Sequence, residues 1–332
     1  MPERFESMQY DAAVSKIAAI VPCHNEEAAI ATVIADLRLA VPEIEIYVYD
    51  NASTDDTVRV ATVAGATVRH ETTKGKGNVV RRAFADIDAD VYVLIDGDDT
   101  YAARDLPDMI AALHSGPHDH VLGVRKESEA GAYRPGHALG NRGFNWFVSA
   151  VFNSPVSDML SGYRVFSRRF VKSFPALSRE FEIETELTVH AMSLRVPQVE
   201  VEVGFKDRPV GSESKLRTYH DGFRILSLIV GLIRHERPLM FYGLIGLFLA
   251  LIGVAIGIPV VIEFFETGLV PRFPTAVLAL GIILAAFMSW MIGLILDGVL
   301  KSRREFSRLN YLSHEPPSWR PTVLSAPSAH DS

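Results

Sequence analysis

The chain has 332 residues and a formal net charge of −7 at pH 7, and this acidic balance gives no sign of a nucleic-acid partner. Its single cysteine, Cys23, excludes an internal disulfide framework and a cysteine-rich zinc site. Hydrophobic residues make up 48% of the sequence and charged residues 22%, which is typical of globular structure with an apolar surplus in one part of the chain. The extension formed by residues 1–15 has no apolar core, so we expect no secretory signal.

Short apolar runs alternate with helical patterns from residue 16 to residue 99. The runs KIAAIVP and IEIYVYD have the length and composition of buried strands. Between them, EEAAIATVIADLRLA has apolar residues at helical spacing and acidic residues in its first turn, where the helix dipole favours them. This alternation predicts an α/β domain with a mostly parallel central sheet flanked by helices. Because ligands of such sheets bind at the carboxyl ends of the strands, the residues just after the strands are candidates for a site.

Acidic residues follow one of these strands in the stretch VYVLIDGDDTY, which contains Asp96, Asp98 and Asp99. Three carboxylates this close would not all stay ionised in a dry site without a compensating cation. Carboxylate oxygens select Mg²⁺ or Mn²⁺ rather than zinc, and Mg²⁺ usually takes its remaining ligands from substrate phosphates. The stretch therefore favours a metal site beside a nucleotide diphosphate. The alternative is a solvated turn, or a helix cap formed by Asp98 or Asp99.

Two other stretches carry basic residues that suit phosphate. The glycine-rich turn KGKGN contains Lys74 and Lys76, which could face a diphosphate or belong to a basic surface loop. The stretch DMLSGYRVFSRR contains three arginines, Arg164, Arg168 and Arg169. The planar fork of donors on arginine suits a phosphate monoester, and a basic surface strand is the alternative.

The apolar surplus lies near the C-terminal end, in the runs from Leu239 to Ile262 and from Ala276 to Leu296. Each run reaches the ~20 residues that cross a bilayer, and each is apolar on all sides, which disfavours a pair of buried core helices. Basic residues flank the pair at both outer ends, so the positive-inside rule places both ends in the cytoplasm. We expect transmembrane helices at 239–262 and 275–300 and a basic, disordered tail at 301–332. An amphipathic interface helix is expected at 216–238. The aromatic residues 144–152 predict either a second interface helix or an ordinary core helix.

Five stretches, in their order along the chain, resemble family 2 glycosyltransferases: AIVPCHNEEAAI, YDNASTDDT, KGKGN, LIDGDDTY and DMLSGYRVFSRRFV. The nearest resemblance is to the polyprenyl-phosphate glycosyltransferases, the group around dolichyl-phosphate mannose synthase and bacterial undecaprenyl-phosphate glucosyltransferases. It implies a GT-A fold over residues 16–215, with a nucleotide-sugar bound over the first half of the sheet. Where many relatives have two acids followed by Gly-Ser, this chain has Asp50, Asn51, Ala52 and Ser53, so Asp50 must serve without a second carboxylate.

The resemblance also implies roles for individual residues. Donor contacts are expected from Pro22, His24, Asn25, Glu26, Asp50, Lys76 and Asp96. Metal ligands are expected from Asp96 and Asp98, and acceptor-phosphate contacts from Ser161 and Arg164, to which Arg168 is added from the arginine cluster. Helix capping is a second role open to Asn25 and Glu26.

Catalytic roles fall on Arg164 and on Asp158, which matches a position proposed in the family as catalytic base. A phosphate monoester has a second pKa near ~6 and is already largely dianionic at neutral pH. Such a nucleophile hardly needs deprotonation, so Asp158 has two alternative roles. It could orient an arginine or ligate the metal.

The sequence thus predicts inverting transfer of a single hexose from a nucleoside diphosphate sugar, UDP-linked by resemblance, to polyprenyl phosphate. The reaction would use Mg²⁺ or Mn²⁺ and would take place at the cytoplasmic face of the inner membrane. The sequence is also compatible with a homo-oligomer. One alternative is a processive polysaccharide synthase, although the tryptophans here lie outside the Gln/Arg-x-x-Arg-Trp motif usual for those enzymes. The other alternative is a non-catalytic membrane scaffold that retains the fold.

Overall fold

The computed structural model describes residues 16–126, 157–175, 183–206, 230–231 and 233–317. The chain forms two compact units. The first consists of Met1–Lys215 together with Ser307–Ser332, and the second of Leu216–Phe306. The predicted extension at 1–15 and the aromatic residues 144–152 lie outside the described residues, as does most of the predicted amphipathic helix at 216–238.

The described residues of the first unit form a seven-stranded sheet. In chain order its strands are β1 (Ile17–Cys23), β2 (Glu45–Asp50), β3 (Thr67–His70), β4 (Val91–Leu94), β5 (His120–Lys126), β6 (Arg164–Ser167) and β7 (Gln198–Gly204). Their order across the sheet is β3-β2-β1-β4-β6-β5-β7. All neighbouring pairs are parallel except those of β6, which is antiparallel to both β4 and β5. The prediction of a mostly parallel central sheet is confirmed.

Helices cover both faces of this sheet. They are α1 (Ile30–Ala40), α2 (Thr57–Val63), α3 (Lys76–Asp86), α4 (Leu106–His114), α5 (Arg168–Ser173) and α6 (Ile183–Leu194). Successive strand residues point to opposite faces. Ile17, Ala19 and Val21 of β1 accordingly join a core with α1 and α4. Ala18 and Ile20 join a second core with α3, α5 and α6. Burial on both faces explains why the central strands are apolar at nearly every position.

The last helix, α8 (Phe273–Leu312), ends within the first unit. Tyr311 is only 4% exposed, and its hydroxyl donates to Asp119 at 2.6 Å. Nearby, the side chain of Asn310 donates to the carbonyl of Lys172 at 2.9 Å. The prediction that disorder begins at residue 301 is therefore wrong for residues 301–312. Asn310 and Tyr311 contact parts of the chain that are distant in sequence, and no local pattern reveals these contacts.

The substitution Tyr311→Phe is expected to destabilise the first unit. Asp119 is fully buried and also accepts hydrogen bonds from Ser167 and Arg169. Loss of one hydrogen bond to a charged group costs about 1.5–3 kcal/mol, which corresponds to a melting temperature lower by about 3–10 °C. Thermal unfolding of the full chain in detergent measures this shift.

The matched control is Tyr47→Phe, which removes a hydroxyl that donates to Glu45 at 2.7 Å on the protein surface. Its melting temperature should stay close to that of the parent, because exposed hydrogen bonds exchange readily with water. Equal shifts in melting temperature for the two variants would show that the buried hydrogen bond between Tyr311 and Asp119 stabilises the protein no more than an exposed one.

The second unit contains α7 (Pro238–Thr267) and the larger part of α8. Among the described residues, these two helices are long and apolar enough to cross a membrane. Glycines allow them to approach closely, since a β-carbon at Gly253 would collide with Ile283. The hydroxyl of Ser289 donates to the carbonyl of Tyr242 at 2.8 Å. The two predicted apolar helices are confirmed, and both extend beyond their predicted bounds.

Candidate active site

The carboxyl ends of β2, β1 and β4 lie side by side at one edge of the sheet, because these strands are parallel neighbours. Backbone hydrogen bonds continue past the strand ends, and the amide of Asn51 donates to the carbonyl of Cys23 at 2.8 Å. Residues predicted from separate stretches of sequence therefore meet here. They are Pro22, His24, Asn25, Glu26, Asp50, Asp96 and Asp98.

The segment after β1 is tied to the segment after β2. Asn25 has a φ of 58°, a left-handed conformation that asparagine tolerates better than most residues. Its side-chain oxygen accepts from the amide of Thr54 at 2.8 Å, and its own amide donates to the hydroxyl of Ser53 at 3.0 Å. The amide of Glu26 donates to Thr57 at 2.8 Å. Helix α1 begins later, at Ile30, with Ala29 at its N-cap and no side-chain cap, so the capping alternative for Asn25 and Glu26 is wrong.

Asp50 and Asn51 have different surroundings at the end of β2. Asp50 is buried, accepts from the amide of Ser53 at 3.2 Å and lies 3.3 Å from Nδ1 of His70. The side-chain amide of Asn51 donates to the carbonyls of Glu71 and Thr73, at 2.8 and 2.9 Å. A carboxylate cannot donate these bonds. Asn51, at the position where relatives carry a second acid, therefore holds the loop at Glu71 and Thr73 in place. This role was not predicted from the sequence.

Two of the three aspartates after β4 are paired with lysines of the chain itself. Lys76, at the start of α3, contacts Asp96, and Lys206 lies 2.8 Å from Asp99. Asp98 is buried and accepts from the amide and hydroxyl of Thr100, at 3.2 and 2.7 Å. The cation expected beside these carboxylates is thus supplied in part by the protein.

Lys76 also contacts a second carboxylate, that of Glu184 on α6, at 2.5 Å. Burial by itself would lower the pKa of Lys76, but attraction to Asp96 and Glu184 outweighs burial and raises it above the usual value. Lys76 is therefore a permanent cation. The sequence predicted Lys76 as a donor contact, and the structure places Lys76 beside the predicted metal ligand Asp96. Glu184, the second partner of Lys76, was not identified from the sequence.

The metal prediction rests on Asp96 and Asp98. Across the described ranges, no group of three or more His, Cys, Asp or Glu side chains is arranged to hold a metal ion. Two carboxylates in this position fit a hard cation that takes its other ligands from phosphate and water, as Mg²⁺ usually does. They do not fit a cation that needs a cage made wholly of protein.

Asp158 is held by Arg125, which stands in β5 near the carboxyl end of that strand. Nε and one terminal nitrogen of Arg125 lie 2.6 and 2.7 Å from the two oxygens of Asp158. The guanidinium also lies 5.3 Å above the ring of Phe205. This is the alternative in which Asp158 orients an arginine. Arg125 was not identified from the sequence. An arginine at the carboxyl end of an apolar strand is a pattern that could have indicated a site residue.

Arg164 does not face solvent in this structure, contrary to the expectation that it contacts an acceptor phosphate. Its side chain is completely buried. Its donors bind the carbonyls of Met159 and Ser161 and the hydroxyl of Thr188, at 2.7, 2.9 and 2.8 Å. Burial lowers the pKa of Arg164 to about 10, so the group stays charged at neutral pH. Arg164 therefore stabilises the loop before β6 by binding two of its backbone carbonyls.

Ser161, also predicted to contact the acceptor, is fully buried in the same loop. Its hydroxyl lies 3.5 Å from that of Tyr101, which accepts from the amide of Gly162 at 2.9 Å. A β-carbon at Gly162 would overlap the carboxylate of Asp96. The loop therefore lies directly against the acidic residues, but in this structure the Ser161 hydroxyl does not face solvent.

Arg168 is at the opposite edge of the sheet, so its predicted role at the acceptor phosphate is wrong. Because β6 is antiparallel to β4, Arg164 pairs with Leu94 at the site edge, and Ser167 pairs with Val91 at the other end. Arg168 follows Ser167 and lies 2.9 Å from Asp88. The strand from Arg164 to Ser167 spans roughly 10 Å at ~3.3 Å per residue, and Arg168 lies beyond its far end.

Comparison with known proteins agrees with this geometry. The model of glycosyl transferase family 2 matches residues 18–174. Glycosyltransferase AglJ of Haloferax volcanii is 32% identical over 288 residues, which cover 86% of this chain and 94% of that protein. The dolichyl-phosphate hexose transferase of the same organism is 28% identical over 222 residues, which cover 67% of this chain and 95% of that protein.

A solved structure shares the fold. The crystal structure of glucosyl-3-phosphoglycerate synthase from Mycobacterium tuberculosis in complex with uridine diphosphate matches with a TM-score of 0.55 at 23% identity. The match covers 67% of this chain and 80% of that chain. The architecture is of the GT-A type, and the chain belongs to glycosyltransferase family 2.

Proposed function

We infer that this glycosyltransferase transfers one hexose from a nucleoside diphosphate sugar, UDP-linked, to polyprenyl phosphate. The observation that carries this proposal is the convergence of Asp50, Asp96 and Asp98 at one sheet edge, against the loop that contains Asp158. The same chain has two apolar helices of membrane-spanning length. A nucleotide site combined with a membrane anchor suits a soluble donor and a lipid acceptor.

On the donor side, Asp50 would bind the ribose or base, and the segment from Pro22 to Glu26 would contact the nucleoside. Asp96 and Asp98 would hold Mg²⁺ or Mn²⁺, which when bound supplies Lewis-acid chemistry and neutralises charge on the diphosphate. Lys76 adds a fixed positive charge at the same place.

On the acceptor side, Arg125 replaces Arg164 and Arg168 as the arginine proposed to bind phosphate. Asp158 grips the guanidinium of Arg125 by two hydrogen bonds and so fixes its plane. An oxygen of the lipid phosphate attacks the anomeric carbon, and the bond from that carbon to the diphosphate oxygen breaks with inversion. The diphosphate leaves with the electron pair. Asp158 needs no proton from a nucleophile that is already dianionic.

The membrane location is part of the proposal. Two arginines, Arg234 and Arg237, precede α7, and three basic residues, Lys301, Arg303 and Arg304, follow the apolar part of α8. The positive-inside rule favours the cytoplasm for both of these flanks. Within the second unit, Arg304 pairs with Glu236 at 2.7 Å. We propose an inner-membrane protein whose catalytic domain faces the cytoplasm, where nucleotide sugars are made.

A panel of nucleotide sugars with a short polyprenyl phosphate tests this function. The purified full chain in detergent is expected to yield lipid carrying one hexose, detected by mass spectrometry, with at least one UDP-sugar. A ladder of products that differ by one sugar each would support the processive synthase. Donor hydrolysis and transfer both at background levels would support the scaffold.

A further inference from the structure

We propose that Glu184 is a positioning residue that shares Lys76 with Asp96 and thereby sets how strongly the acidic motif binds a divalent cation. This inference deepens the proposed function and rests on it for the identity of the site. Glu184 belongs to α6, and it lies 108 residues from Lys76 in the sequence.

The three side chains form one bridge, which is buried at Lys76 and Glu184. The Nζ atom of Lys76 contacts Oδ1 of Asp96 and lies 2.5 Å from Oε1 of Glu184. The side chains of Lys76 and Glu184 are 10% and 7% exposed, and that of Asp96 is 30% exposed. The carboxylate of Asp96 is thus the member of the bridge that faces the site, while Glu184 holds the lysine from behind.

The backbone around Lys76 is built to keep it there. Gly75 has a φ of 124°, a left-handed value that favours glycine. Its amide donates to the side-chain oxygen of Asn51 at 2.7 Å. The same Asn51 side chain binds two carbonyls of the preceding loop. Asn51 therefore fixes Gly75, the residue directly before α3, and with it the position at which the Lys76 side chain leaves the backbone.

The charges of the bridge explain why the second carboxylate matters. One lysine would be enough to balance Asp96. The presence of Glu184 leaves the trio with a net charge of −1 and divides the attraction of Lys76 between two partners. Asp96 consequently keeps part of its negative charge available to a metal ion. Without Glu184, Lys76 would bind Asp96 more strongly and compete with the metal.

The substitution Glu184→Gln is therefore expected to weaken Mn²⁺ binding to the full chain in the presence of UDP by about tenfold, or about 1.4 kcal/mol. Electron paramagnetic resonance of free Mn²⁺ measures the Kd without any transfer reaction. The control is Glu186→Gln, which removes the same charge from the same helix but outside the bridge. A folded Glu184→Gln variant with a Kd within about twofold of the parent would overturn the proposal, as would an equal shift in the control.

A second variant keeps the test decisive if Glu184→Gln fails to fold. The double variant Lys76→Met with Glu184→Gln removes the lysine and its second partner together, so no charge is left unpaired between them. Asp96 is then released from the lysine, and Mn²⁺ binding is expected to be tighter than in the parent by about tenfold. An unchanged or weaker Kd in this double variant would contradict the bridge.

Failure of this inference differs from failure of the proposed function. A parent that binds Mn²⁺ while both variants keep its Kd contradicts the bridge only. If the Kd for Mn²⁺ shifts as expected in the variants but the parent transfers no sugar to polyprenyl phosphate, the result supports the bridge and contradicts the proposed acceptor.

Discussion

The variant Asp98→Asn is expected to lose transfer activity by about 10²- to 10³-fold, the usual size of the loss when one group that stabilises developing charge is removed. The asparagine oxygen can still accept from the amide and hydroxyl of Thr100, so the turn after β4 should keep its shape. The carboxylate charge is removed, and a divalent cation at this position would be held less firmly. Initial rates with saturating donor and acceptor measure the effect.

The control for this prediction is Asp99→Asn, the neighbouring aspartate that pairs with Lys206. Its loss of activity should be much smaller, because Lys206 already compensates its charge. Excess chelator should reproduce the Asp98→Asn loss in the parent enzyme, and added Mn²⁺ or Mg²⁺ should restore the rate. Full activity of the parent in excess chelator would exclude the metal.

The variant Arg164→Met is expected to destabilise the first unit by about 3 kcal/mol or more, because buried acceptors left without a donor cost about 1–3 kcal/mol each. The carbonyls of Met159 and Ser161 and the hydroxyl of Thr188 would all lose their bond to the guanidinium. The expected fall in melting temperature is about 6–12 °C or more. Thermal unfolding in detergent with UDP absent measures it.

Arg168→Met is the matched control, since Arg168 lies in the same stretch and makes an exposed ion pair with Asp88. An exposed pair contributes about 0–1 kcal/mol, so stability should change little. The KM for polyprenyl phosphate should also stay at the parent value. The reverse pattern, a stable Arg164→Met variant with a raised acceptor KM, would return Arg164 to the acceptor site.

Local pattern was sufficient for the first half of the site. Alternating strands and helices predict a parallel sheet, and neighbouring parallel strands end at the same edge. Asp50, Asp96 and Asp98 could therefore be brought together from sequence, because each follows an apolar run directly. The apolar helices α7 and α8 were equally visible, since length and composition are local properties.

The positions of the predicted acceptor residues Arg164 and Arg168 depend on the direction of β6 in the sheet. No residue pattern in β6 encodes this direction. A short apolar strand reads alike in either direction. Its antiparallel insertion between β4 and β5 turns Arg168 to the far edge and buries the Arg164 side chain. Closeness in sequence had suggested one phosphate-binding cluster, but a strand separates the residues at its two ends.

Partners distant in sequence were also decided by the tertiary structure. Arg125 and Asp158 are 33 residues apart, Lys76 and Glu184 are 108 apart, and Asp119 and Tyr311 are 192 apart. Each pair joins groups that are costly to bury without a partner. This cost predicts that a buried charge will have a partner. Which residue becomes the partner depends on which helices and strands pack together. The sequence by itself determined the chemistry at the strand ends. The packing of β5, β6 and α6 decided which charged side chains lie beside that chemistry, and the packing of the end of α8 decided how the buried Asp119 is paired.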